Sequence, residues 1–294
     1  MLSSRENLGF LLGLAGTCIF AGSLPATRLA VAALDPWFVT AARAAIAGIC
    51  ALTLLAVMRP PLPPKDAWPG LIIIVLGVVF GFPFFSALAM LNVPASHGGV
   101  VLGVLPLATA AAAVVMAKER PGIGFWIASA IGAVLVAAFA LRQGGEIALS
   151  EGDSQLMLAI ISAAIAYTAS GALTRNMPGW QVISWTLVIS LPFSALACWL
   201  LFPANVTAVP ADAWAGLLYS AVMAQWMGFF FWNAGLALGG ISRVSQVQLV
   251  QPFVTVALAA TVNRETIGLE TILFAIAVVV TVAIATRMRV RRES

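Results

Sequence analysis

Shifted by 146 residues, the chain matches itself without a gap from about Trp68 to Ala137. Trp68 falls on Trp214, Gly70 on Gly216, Phe84 on Phe230, Ser96 on Ser242, Pro106 on Pro252, Thr109 on Thr255, Glu119 on Glu265 and Gly122 on Gly268. One register held across several apolar segments is not a product of shared composition, so the sequence contains two copies of one unit. Duplicated membrane units are a common construction of secondary transporters, and that is the function class the repeat points to.

Only 9% of the residues are charged and 62% are AVILMFWYC, with a mean hydropathy of +1.03. This is far from the roughly 25% charge of soluble domains. Spanning roughly 30 Å of hydrocarbon takes about 20 apolar residues per helix. Ten such stretches are predicted, near 8–33, 37–58, 68–91, 97–117, 122–141, 155–174, 179–202, 213–237, 243–262 and 268–287. Little remains for a soluble domain. The fold class expected is therefore an all-α integral membrane protein, with one repeat over residues 1–143, a polar linker over 144–154 and a second repeat over 155–294.

Five spans per copy is an odd number, so the copies enter the membrane from opposite sides and form inverted repeats. Such repeats support alternating access. With both termini cytoplasmic, the inner side collects Arg5, Arg59, Lys65, Lys118, Arg120, Arg175, Arg243, Arg287, Arg289, Arg291 and Arg292. The outer side keeps Arg28, Arg142 and Arg264, as the positive-inside rule requires. The basic tail directly follows the last span and reads as a stop-transfer anchor, with no nucleic-acid partner implied. Residues 8–33 are too long for the apolar core of a cleaved signal, so they are expected to be retained as the first span. Cys18, Cys50 and Cys198 fall in three different spans, without pairing or metal spacing.

Ala113 to Val136, which contains Lys118-Glu119-Arg120-Pro121-Gly122, resembles the EamA signature of the drug/metabolite transporter superfamily. So does its second copy around Asn263-Arg264-Glu265-Thr266-Ile267-Gly268, although Asn263 replaces the usual small residue. Asp35-Pro36 followed by Arg43, and Ala95-Ser96 before Pro106, resemble the same family. The resemblance implies a ten-helix transporter of the bacterial inner membrane, whose central cavity is formed mainly by spans 1, 3, 4, 6, 8 and 9. It also implies export of amino acids or related metabolites, most of all in the manner of the YddG-type exporters.

Candidate substrate residues come from the polar positions inside the spans. Ser245, Gln248, Gln251 and Thr255 share one stripe of span 9 at 100° per residue. Amides on such a helix avoid lipid, either by lining a cavity or by bonding helix to helix. The first copy carries Gly99, Leu102 and Leu105 where the second has Ser245, Gln248 and Gln251, as an asymmetric ligand would require. Span 8 offers Gln225, Phe229 and Trp232 on one arc with Asn233 at its edge, a mixture suited to an amphipathic small molecule. Tyr167 and Thr17 are further candidates from spans 6 and 1. Pro106 and Pro252 are repeat equivalents and the expected bends of spans 4 and 9, whether they flex or only serve packing.

Absent residues narrow the chemistry. Asp and Glu occur only near span ends, which disfavours a carboxylate-coupled proton relay. His97 has no acidic neighbour in sequence and is expected to be a polar interface residue. Arg43 lies about two turns below the outer surface, where binding a carboxylate, snorkelling and pairing with Asp35 are all open to it. Its match to the family pattern favours scaffold work. A basic cluster for phosphate esters is missing. The expected activity is export of small neutral or zwitterionic metabolites, apolar or aromatic amino acids foremost, with lipophilic drugs or toxic metabolites as the alternative. No catalytic constellation, metal site, cofactor or obligate protein partner is expected; the partners are the substrate and the bilayer.

Overall fold

The computed structural model describes residues 4–117, 120–121, 123–143, 150–239, 245–287 and 290–291. Among these the helices fall on the ten apolar stretches, several of them broken. Stretch one is α1 (Ser4–Ala21) and α2 (Ser23–Val31), and stretch two is α3 (Pro36–Met58). Stretch three runs from α4 (Trp68–Ile74) through a π-helical segment (Val75–Gly81) to α5 (Phe82–Asn92). Stretch four is α6 (Ala95–Val101), a 3-10 turn (Leu102–Val104) and α7 (Leu105–Ala117), and stretch five is α8 (Ile123–Gln143).

The second half repeats this order. It comprises α9 (Glu151–Leu173), α10 (Gly179–Leu200), α11 (Ala211–Leu218), a π-helical segment (Tyr219–Met227) and α12 (Gly228–Gly239). A 3-10 segment (Ser245–Val250), α13 (Gln251–Val262) and α14 (Leu269–Arg287) complete it. Arg120–Pro121 and Val290–Arg291 form a two-residue antiparallel pair.

The irregularities recur at the 146-residue offset. Val75 to Gly81 carries onto Ala221 to Met227, inside the second π segment, and Leu102 to Val104 onto Gln248 to Val250, inside the second 3-10 segment. Proline explains the second case. Pro106 and Pro252 have no N–H for the carbonyls of Leu102 and Gln248, and their rings crowd those carbonyls, so the helix restarts at Leu105 and Gln251.

Helix starts follow local chemistry. Asp35 caps α3 by accepting from the amides of Trp37 at 2.8 Å and Phe38 at 3.2 Å, with Pro36 in the first turn. Ser150 and Asp153 form a capping box, so α9 begins at Glu151, inside the stretch expected to be linker. The linker's Gly144 and Gly145 lie outside the described residues.

Packing pairs the halves: α3 with α10, α6 with α13, α8 with α14, α1 with α12, and α5 with α9. Exchanging the halves leaves this list unchanged. Tight crossings use glycine where backbones meet. A Cβ on Gly235 would lie 2.6 Å from the amide nitrogen of Gly13, so α1 and α12 touch through their main chains.

Two buried clusters fill the interior. One surrounds Phe38, Leu156 and Phe139; the other surrounds Leu71, Leu187 and Trp232. Tyr167 packs against both. The outside is apolar as well: Leu11, Ile49, Leu76, Ile127, Phe193, Trp199 and Leu273 are all exposed. So continuous an apolar surface needs lipid around it. Five stretches, Asn7–Val31, Pro36–Met58, Lys65–Asn92, Glu151–Leu173 and Gly179–Leu200, are long and apolar enough to cross a membrane. Four shorter apolar helices accompany them.

Candidate functional site

A small cavity opens between the two buried clusters. Its walls are Phe20 and Ser23 from the first stretch, Arg43 from α3, Val78 and Phe82 around the first π segment, and Leu105 at the head of α7. The second half contributes Tyr167 from α9, Ala224 and Gln225 from its π segment, Phe229 from α12, and Gln251 at the head of α13. Repeat equivalents face each other here: Val78 with Ala224 and Leu105 with Gln251 at the 146-residue offset, Phe20 with Tyr167 at one residue more. The helical breaks of both halves border this space, which is where π segments often sit in proteins that bind ligands. The cavity volume is about 20 Å³, enough for about one water.

Arg43 gives the cavity its charge. It is 3% exposed, and its Nε donates to Gln225 Oε1 at 2.8 Å while Nη2 reaches Ser23 Oγ at 3.4 Å. Gln225 is held in turn, its Nε2 donating to the Val78 carbonyl at 3.2 Å. Nη1 of Arg43 is buried with no hydrogen-bond partner. The Asp35 pairing left open by the sequence does not form, because the Asp35 carboxylate is occupied as the α3 cap. Aromatic rings complete the wall. Phe20 and Phe229 have centroids 4.9 Å apart, and Tyr167 meets Phe229 edge to face at 6.1 Å.

Four of the ten candidate residues, Gln225, Phe229, Gln251 and Tyr167, line this cavity. The others are placed elsewhere. Thr255 donates to the Ala21 carbonyl at 3.0 Å and packs on Gly99, bonding helix to helix. Asn233 donates to the Gly179 carbonyl at 3.0 Å, tying α12 to the start of α10. Trp232 is buried against Phe20, Gln248 is buried outside the lining, and the Thr17 hydroxyl is buried without a partner. The side chain of Ser245 lies outside the described residues. The stripe dissolves because residues 245–250 are 3-10, so the 100° spacing does not apply to them.

At one end of the bundle, polar residues join the halves. Glu265 accepts from the amides of Ala95 at 2.8 Å and Ser96 at 3.0 Å, capping α6 with a full charge. Arg28 lies 3.4 Å from the same carboxylate and donates to the Met90 carbonyl at 2.9 Å. Asn263 donates to the Pro25 carbonyl at 3.1 Å. Arg264 takes a left-handed conformation, φ 56°, that turns the chain back toward α6. His97 is a correction to the sequence reading. It is buried, bonds Asp153 Oδ1 at 2.6 Å and stacks on Phe139. Its acidic partner is 56 residues away in sequence, where local inspection does not find it. The repeat counterpart of Glu265, Glu119, lies outside the described residues.

Arg43 is the lining residue that sequence reasoning undervalued. The available signal was a cation eight positions into a 23-residue apolar helix, too deep for a helix-end role. Span 2 therefore joins the six spans expected around the cavity.

Residues 7–141 and 150–287 each match the model of the EamA-like transporter family. The chain is 43% identical over 284 residues to the uncharacterized transporter YdeK of Bacillus subtilis (strain 168), covering 97% of this chain and 99% of that one. The uncharacterized transporter YyaM of the same organism is 25% identical over 206 residues, 65% of each chain. A solved crystal structure superposes with a TM-score of 0.64 over 95% of this chain and 96% of its own, at 19% identity, a likeness of fold alone. With two family-model matches that follow its internal duplication, and a relative alike over nearly its whole length, this chain belongs to the EamA-like transporter family.

Proposed function

We propose that this membrane transporter exports small neutral or zwitterionic metabolites, amino acids with apolar or aromatic side chains foremost, across the bacterial inner membrane by alternating access. The observation that carries the reading is the cavity itself: amides, one guanidinium and an aromatic wall, contributed by both halves where their helices are broken. Such a lining holds a polar head and an apolar side chain together. The packing list that survives exchange of the halves supports two inverted five-helix repeats with the cavity between them. In that arrangement rocking one repeat against the other opens the site to alternate sides.

The positive-inside orientation puts the Glu265 and Asp153 end outside. In this reading the conformation is closed to the exterior, with Arg28, Glu265, His97 and Asp153 as the seal. A cavity of about 20 Å³ matches a constricted state, since a drug-sized ligand fills pockets of about 300–1,000 Å³. Purified protein in liposomes, assayed with labelled leucine, phenylalanine and alanine with and without an imposed pH gradient, tests the proposal. Gradient-independent flux of apolar amino acids is expected. Flux of none of them, with efflux of lipophilic dyes instead, would replace amino acids by drugs as the substrate class.

A further inference from the structure

We infer that Arg43 is the anchor for a substrate carboxylate, and hence that the transported class is monocarboxylates with an apolar side chain. The inference rests on the transport reading above and narrows it chemically. A guanidinium has five N–H donors in a planar fork built for carboxylate oxygens. In Arg43 the Nε and Nη2 edge is spent on Gln225 and Ser23, both neutral, and Nη1 has no partner. Among the described residues the partners of Arg43 are Gln225 and Ser23, and no protein carboxylate pairs with it. A buried charge held only by neutral groups is costly, and a ligand that brings the opposite charge removes the cost.

The arrangement is also pre-set. Gln225 is oriented by the Val78 carbonyl, so its Oε1 fixes the guanidinium before any ligand arrives. Among the described residues Arg43 is the one cation lining the cavity, which matches a single negative charge and not a phosphate or a dicarboxylate. Phe20, Phe82 and Phe229 supply the apolar wall, and the Tyr167 hydroxyl and Gln251 amide remain for an amine or other neutral polar group. The second repeat has no matching cation. Counting from Trp37 and Trp180, the position of Arg43 is held by Thr186, whose hydroxyl bonds the Val182 carbonyl. One polar pole in a two-fold cavity gives the ligand a defined direction.

The test compares matched acids and alcohols on the full-length protein in detergent, reading protection against thermal unfolding. The panel is leucine, phenylalanine and alanine, their amino alcohols, and the deaminated acids 4-methylpentanoate and 3-phenylpropanoate. Acids should protect at concentrations about tenfold to a hundredfold below their alcohols, the ratio expected for one charge-assisted contact. Arg43→Gln should abolish the difference, and Arg43→Lys should restore part of it. Equal protection by acids and alcohols in the unsubstituted protein overturns the inference, even if the variants fail to fold. Protection by deaminated acids without amino-acid flux in liposomes supports the anchor and sinks the amino-acid reading. Amino-acid flux undiminished in Arg43→Gln sinks the anchor and leaves that reading intact.

Discussion

Arg43 and Thr17 are both buried polar groups with an atom lacking a partner, yet they sit in opposite circumstances. Arg43 borders the cavity and is braced by Gln225; Thr17 does not line it. Gln225→Leu leaves the Arg43 Nε and the Val78 carbonyl unpaired and should destabilise the fold by about 2–3 kcal/mol. A lowered thermal midpoint in detergent checks it. Thr17→Val removes an unsatisfied hydroxyl at nearly constant volume and should raise that midpoint by the equivalent of about 1 kcal/mol without changing flux. A loss of transport in the latter would return Thr17 to the substrate path. Sequence named both residues as polar inside apolar helices, but the partner that distinguishes Arg43, Gln225, sits 182 positions away, beyond the reach of local pattern.

At the scale of elements, the breaks matter more than the helices. The 3-10 segments before Pro106 and Pro252 were foreshadowed by proline, which has a fixed steric effect wherever it occurs. Of the π segments, Val75–Gly81 is followed closely by Pro83, whereas Tyr219–Met227 carries no such local mark. Of the arc drawn on an ideal helix, Gln225 and Phe229 share the cavity wall while Trp232 and Asn233 do not line it. The loop after α13 acts as a clasp on α6. Glu265→Gln keeps acceptor geometry on one oxygen but loses the charge that serves two amides and Arg28, a loss of about 0.5–2 kcal/mol at a helix start. With Cys18, Cys50 and Cys198 replaced and a cysteine placed at Leu105, this change should speed labelling by a membrane-impermeant maleimide from outside. Unchanged labelling would remove Glu265 from the seal.

For the whole molecule, both halves build the cavity but furnish it asymmetrically. Leu105 and Gln251 are equivalent by the repeat and both line it, one apolar and one amide. Gln251→Leu makes the pair alike and should leave folding intact while weakening recognition of the polar head by about tenfold, as one lost hydrogen bond predicts. Competition of unlabelled amino acids against a tracer in liposomes measures it. Gln248→Leu, at a buried position outside the lining, should instead leave competition unchanged.

Duplication, helical content, membrane residence and the breaks before Pro106 and Pro252 came from the sequence alone. These depend on composition, steric rules and periodicity over a few turns, all of which act locally along the chain. Which polar residues meet was decided by tertiary structure, because Arg43 with Gln225, His97 with Asp153 and Glu265 with α6 each pair distant stretches. Crossing angles, π segments and glycine contacts set those distances, and none of them is fixed until the helices pack.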